Sequence, residues 1–153
     1  MLLSKNRKAL FNYQIIEKYI AGLVLYGYEV KSIKEGNVSF EGSYIKYQND
    51  ELFLINLYIG KYSKQSKVIS HEYDSKRPRK LILNKKEILE IKKELDQKGK
   101  TAVPLALILK NNKIKLEIAT VKGKKEFEKK QTAKEKQQQK DLDAQIKQIA
   151  HKF

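Results

Sequence analysis

The pair Asn111-Asn112 and the strict alternation behind it constrain the fold more than any other stretch of this chain. Lys113, Lys115 and Glu117 occupy one face, and Ile114, Leu116 and Ile118 the other. A period of two is what a strand with a single buried face requires. Two consecutive asparagines tolerate the positive φ of a tight hairpin. The apolar run from Val103 to Lys110 ahead of them supplies the outgoing strand. The pattern therefore predicts an antiparallel hairpin with one wall in a core. Its other wall offers two lysines to solvent or to a ligand.

Similar units precede it. Tyr13 to Leu25 is β-like, with Ala21-Gly22 as an expected bend or bulge. Val38 to Phe40 and Ser43 to Gln48 read as strands, and Asn49-Asp50 turns the chain into Leu52 to Ile59. Lys80 to Leu83 is a further short strand. Tyr26, Val30 and Ile33 share helical spacing before Glu35-Gly36-Asn37 stops them, which predicts a helix of about two turns. Asn84 with Glu87 three residues on is a capping-box start. Ile88, Ile91 and Leu95 then line one face of a helix over about 85–98, and Gly99 closes it. Residues 1–12 read as a basic arm docking on the body. The polar segment 60–78 is long for a loop, so a functional or partner-ordered role is expected. Short strands with short links and inserted helices fit a mainly β fold, an antiparallel β-barrel, better than a βαβ sheet.

Composition changes near residue 122. Residues 1–121 form the expected folded body and 122–153 a basic C-terminal tail rich in Lys, Gln, Glu and Ala. Such a tail cannot bury enough apolar surface to fold alone. Leu142, Ile146, Ile149 and Phe153 nevertheless recur on one helical stripe, so the tail is expected to be disordered when free and helical on a partner. The net charge of +15 is shared by both parts: 23 Lys and Arg stand against 13 acids in the body, and 10 against 5 in the tail. A basic body with a basic arm points to a polyanion, most commonly nucleic acid.

Other classes fit poorly. The absence of cysteine removes disulfides, thiolate metal sites and cysteine nucleophiles, and suits a reducing compartment. No apolar run is long enough to span a bilayer, and the N-terminus lacks a signal-peptide core, so a cytoplasmic protein without a membrane partner is expected. His71, Glu72 and Asp74 are close in sequence but lack convergent partners, and His151 lies in the tail. Gly99-Lys100-Thr101 would need a glycine where Glu94 stands to be a phosphate loop. No enzyme activity, cofactor or metal is expected. Binding chemistry is better represented. Lysines neutralise phosphates, and tyrosines stack on unpaired bases. Arg77, Arg79 and Lys80 cluster around Pro78, and Tyr26 and Tyr28 flank Gly27 at a strand–helix junction. Tyr44, Tyr47 and Phe53 read as core. Phe127, among lysines, has too few apolar neighbours to be core.

Several stretches together resemble one family. They are Asn6-Arg7-Lys8-Ala9, Ala21-Gly22-Leu23-Val24-Leu25-Tyr26-Gly27-Tyr28-Glu29-Val30-Lys31-Ser32, Ser43-Tyr44, Arg79-Lys80-Leu81-Ile82-Leu83-Asn84-Lys85, Gly99-Lys100-Thr101 with Val103-Pro104-Leu105, and Lys122-Gly123-Lys124-Lys125. Their order and spacing, over nearly the whole chain, resemble the SsrA-binding (small protein B) family. The resemblance implies a barrel of the oligonucleotide-binding (OB) type. It also implies binding to the tRNA-like part of transfer-messenger RNA (tmRNA) and a part in trans-translation, the rescue of stalled ribosomes. The tail would enter the empty mRNA channel near the decoding centre and become helical there.

The resemblance carries RNA contact to Ile20, Ile82 and Lys115. Ile82 is a conservative change from the usual Leu. Ile20 stands where the family usually has Glu, and an isoleucine cannot accept the hydrogen bonds that a carboxylate accepts. With the neighbouring basic and aromatic residues, the expected RNA-binding set is Arg7, Lys8, Ile20, Gly22, Tyr26, Lys31, Arg79, Lys80, Ile82, Lys113 and Lys115. The expected ribosome-contacting set is Lys122, Gly123, Lys124, Lys125, Phe127, Lys129, Lys130 and Lys134. Glu128-Lys129-Lys130 takes the place of the family's Asp-Lys-Arg, and lysine keeps the charge without the planar fork. Implied partners are tmRNA, the small-subunit ribosomal RNA and, through tmRNA, elongation factor Tu; the protein itself would be monomeric. The rival readings are a general single-strand-binding OB module or ribosome-associated protein without tmRNA specificity, and a nuclease built on His71 and Asp74.

Overall fold

In the computed structural model, residues 1–63 and 73–123 are described. Strands β1 (Leu2–Lys5), β2 (Tyr13–Leu23), β4 (Tyr44–Gln48), β5 (Glu51–Ile55), β7 (Arg79–Ile82), β8 (Lys100–Lys110) and β9 (Lys113–Gly123) form one antiparallel sheet in the order β1-β8-β9-β2-β7-β5-β4. Strands β3 (Val38–Ser39) and β6 (Tyr58–Ile59) form a separate pair. Helices α1 (Arg7–Asn12), α2 (Gly27–Lys34) and α3 (Lys85–Leu95) are inserted between strands. The sheet curls until β4 packs against β8, the barrel-like closure expected of a mainly β chain.

The β8–β9 hairpin forms as the asparagine pair predicts. Asn111 and Asn112 adopt φ of 52° and 61°, and Ile114, Leu116 and Ile118 are buried. The inward residues of β2, β5, β7, β8 and β9 meet Ile33 of α2 and Ile91 of α3 in the main core, which includes Ala21, Leu54, Leu81 and Leu107. Helix α3 starts at the predicted box: the Asn84 side chain accepts from Glu87 N–H at 2.8 Å, and Glu87 reciprocates at 3.3 Å. It ends at Leu95, three residues early, with Gly99 at φ +79° in the turn that follows.

Several expectations are corrected, among them Tyr44, expected in the core but exposed. Residues 1–12 are not an arm docked on the body. Leu2–Lys5 is a strand paired with β8, and Asn6 caps α1 while its amide donates to Pro104 O at 2.8 Å. The bulge in β2 lies between Ile15 and Glu17, whereas Ala21-Gly22 stays in register with β9, and Gly22 with β7 as well. The strand expected over Leu52 to Ile59 breaks at Asn56 (φ 62°), which frees Tyr58–Ile59 to pair with β3. Strand β9 also continues through Lys122 and Gly123, which pair with Gln14 and Tyr13, two residues past the composition change.

Candidate nucleic-acid interface

Strand alternation builds the exposed face. Ala21, Leu81 and Leu116 turn inward and are buried, so their neighbours turn outward. Gly22 lies between Ile82 of β7 and Lys115 of β9, and Ile20 lies across from Glu117. Ile82 is 58% exposed and Ile20 45%, unusual for isoleucines on a well-packed sheet. A Cβ on Gly22 would sit 3.1 Å from Ile82 Cβ, so glycine is what lets the three strands meet here with a flat surface. The result is an apolar platform flanked by Lys115 and, two residues along β9, by Lys113 at the hairpin end. Glu117 places a carboxylate on this face, one strand over from Ile20. Such a group accepts hydrogen bonds and repels phosphate, so it suits base edges and ribose hydroxyls.

The outward row continues along the chain past β2. Val24 is exposed and its N–H donates to Lys80 O at 3.1 Å; Tyr26 is 52% exposed. Lys80 is exposed and bridges Glu51 at 2.9 Å. Lys31, on α2, sits over the Tyr62 ring at 5.5 Å, away from the platform's strands.

Arg79 is corrected outright. It was expected at the RNA surface beside Lys80, but it is fully buried. Adjacent residues of a strand face opposite ways, so Lys80 outward requires Arg79 inward. Its Nε and Nη2 donate to Glu29 Oε2 at 2.9 and 2.6 Å, Nη2 also to Ser75 O at 3.1 Å, and Nη1 to Leu57 O. Glu29, itself fully buried, also accepts from Tyr26 N–H at 2.9 Å and from Arg77. The Tyr73 hydroxyl lies 3.1 Å from Glu29 Oε2 and 2.8 Å from Ile59 O. Burial alone would push the Glu29 carboxyl up; the hydrogen bonds from Arg77, Tyr26 and Arg79 outweigh it and hold it below the ordinary carboxylate value. Burial, chiefly, raises the Tyr73 phenol well above its usual range. Glu29 was missed in the sequence because its helix begins at a tyrosine, without the Ser or Thr that marks a capping box.

Arg7 and Lys8 are exposed on α1, beside a cleft of about 450 Å³ lined by Lys5, Tyr13 and Ser39. They do not join the platform. Tyr13 pairs with Gly123 at one end of the β2–β9 ladder and Gly22 with Lys115 at the other, a separation of about 30 Å at about 3.3 Å per residue. Lys122 and Gly123 are exposed at the α1 end. Lys124, Lys125, Phe127, Lys129, Lys130 and Lys134, and the expected tail helix, lie outside the described residues, as do His71 and Glu72. Among the described residues, no group of three or more His, Asp or Glu side chains could hold a metal ion. No helix among them is long and apolar enough to cross a membrane.

Fold and face together define a small, basic antiparallel β-barrel of the OB type whose exposed chemistry lies on the sheet itself. Known proteins give this class a family. The SmpB protein family matches residues 3–148. The SsrA-binding protein of Persephonella marina is 42% identical over 95% of this chain and 94% of its own length. That of Borreliella burgdorferi is 43% identical over 95% of each, and that of Aquifex aeolicus 42% over 97% and 94%. A solved structure described as "tmRNA-SmpB: a journey to the center of the bacterial ribosome" superposes with a TM-score of 0.69 at 38% identity, covering 82% of this chain and 87% of that one. The chain belongs to the SmpB protein family.

Proposed function

We propose that this protein binds transfer-messenger RNA and acts with it on the ribosome in trans-translation. The relatives are named for binding SsrA RNA, and the structural neighbour is a tmRNA–SmpB assembly on the bacterial ribosome. The observation that carries the reading on this chain is the convergence of Ile20, Gly22, Ile82 and Lys115 on one exposed platform. An exposed apolar surface flanked by lysines suits the unstacked bases of an RNA loop, which pack on the platform while lysine neutralises the backbone. Lys80, Lys113 and Tyr26 extend that contact. The protein works as a binder and adaptor in the cytoplasm rather than as an enzyme, and meets elongation factor Tu only through the RNA. Arg7, Lys8, Lys122 and Gly123, at the far end of the ladder with the start of the tail, face the ribosome instead, a reassignment of Arg7 and Lys8 from the first RNA to the second. Residues 1–123 and 124–153 thus divide the work.

Purifying the protein from cells and sequencing the bound RNA tests this. One dominant species with a tRNA-like end is expected. A broad mixture of unrelated RNAs would favour a general single-strand-binding module.

A further inference from the structure

The cluster behind the platform is unbalanced in charge. Glu29 carries one negative charge and is ion-paired to two guanidiniums, Arg77 and Arg79. Arg79 is wholly enclosed and its hydrogen bonds go to Glu29, Leu57, Ser75 and Tyr73, so the Glu29–Arg79 pair is complete by itself. Arg77 is the surplus cation. Its side chain is 21% exposed, and no second carboxylate among the described residues lies within ion-pair distance of it. Its Nε is buried and has no hydrogen-bond partner among the described residues. A purely structural hub would need one arginine to neutralise Glu29; the second leaves one net positive charge on a largely buried cluster, which an arriving anion would offset.

The position of Arg77 says which anion. Its Nη2 lies 3.5 Å from Val24 O, at the end of the strand that carries Ile20 and Gly22. Its guanidinium sits over the Tyr26 ring at 4.2 Å, and Tyr26 stacks on Tyr28 at 5.4 Å. Tyr28 in turn meets Tyr73 edge-on at 5.2 Å. Rings and ion pairs thus fix both Arg77 and Tyr26 before any ligand binds, while each keeps an exposed side.

We propose that Arg77 and Tyr26 form a nucleotide subsite continuing the platform, the guanidinium taking an RNA phosphodiester and the tyrosine the adjoining ribose or base. Glu29 is its positioning residue: one carboxylate orients Arg77 and holds the Tyr26 backbone at the helix start. The subsite rests on the RNA-binding reading above.

The test uses the full chain, a transcript of the tmRNA tRNA-like domain and an unrelated structured RNA, each titrated over a range of salt. Arg77→Gln leaves the Glu29–Arg79 pair neutral and is expected to keep the fold. It should weaken binding about tenfold and make the slope of log affinity against log salt shallower by about one. Arg77→Lys should restore the slope and only part of the affinity. Tyr26→Ala should weaken binding severalfold with the slope unchanged, and offers a second measurement should the Arg77 variants fold poorly. Wild-type affinity and slope in Arg77→Gln, or wild-type affinity in Tyr26→Ala, overturns the subsite. If the wild-type chain does not prefer the tRNA-like transcript, the tmRNA reading fails while the slopes on the unrelated RNA still decide the subsite.

Discussion

Gly22 and Ile82 face each other across the β2–β7 ladder so closely that a Cβ on the glycine would come within 3.1 Å of the isoleucine Cβ. Gly22→Val should therefore displace Ile82 and roughen the platform. Overpacking of this kind costs about 1–3 kcal/mol. RNA affinity is expected to fall at least tenfold while the protein stays folded, which circular dichroism with a binding titration would check. Undiminished affinity would show that the platform is not the RNA contact.

Charge and apolar surface on the platform should separate in salt titrations. Lys115→Ala is expected to lower RNA affinity and reduce the salt slope by about one, because one phosphate contact is lost. Ile82→Ala is expected to lower affinity and leave the slope alone. Equal slopes for wild type and Lys115→Ala would remove Lys115 from the backbone contacts.

Glu29 predicts a stability loss in acid. Its folded-state value is depressed below the ordinary 4.5, so the unfolded chain takes up the proton first as pH falls. The stabilisation is fully present above that ordinary value and disappears as pH drops through the lower, folded one. Glu29→Gln should remove this dependence and, by leaving Arg79 buried without its partner, cost about 3–5 kcal/mol at neutral pH. Chemical denaturation between pH 3 and 7 reads both effects. A variant that unfolds like wild type across that range would mean that the cluster contributes nothing.

Tyr19 predicts a loss in alkali. Burial, aided by Glu90, whose carboxylate its hydroxyl meets at 3.2 Å, pushes the phenol up to about 12. The unfolded phenol ionises near 10, so stability should fall as pH rises from 10 towards 12. Tyr19→Phe is expected to soften that fall, measurable by thermal melts in alkaline buffer.

Removing residues 124–153 spares every strand pair among the described residues, of which β9 is the last strand and reaches Gly123. The shortened protein is expected to fold and to bind tmRNA within about threefold of the full chain, while tagging of incomplete proteins on stalled ribosomes is abolished. A tenfold loss of RNA affinity would refute this division of labour.

Much of the architecture was legible because local chemistry and fold agree. Asn111-Asn112 takes the positive φ its sequence invites, and Asn84 with Glu87 caps α3 as the spacing says. The failures have a common physical source in contacts that join distant residues. Leu2–Lys5 lacks a strand signature of its own and becomes one because β8, about a hundred residues later, offers a free edge. Arg79 and Lys80 look alike in sequence, yet alternation sends one to Glu29 and the other to solvent. Gly22 suggested a bulge, but its reason is Ile82, sixty residues away. On the platform, the family resemblance named Ile20, Ile82 and Lys115 one by one; only register shows that they converge on that glycine.

Strand β9 is laced to β8 along one side as far as Lys122 and to β2 along the other as far as Gly123. A pull directed along β9 from Gly123 would load both rows of hydrogen bonds in shear rather than opening them one by one. A grip of this kind resists force far better than a hairpin peeled from its end. The C-terminal end of β9 is therefore held by two ladders at once rather than by a hairpin partner alone.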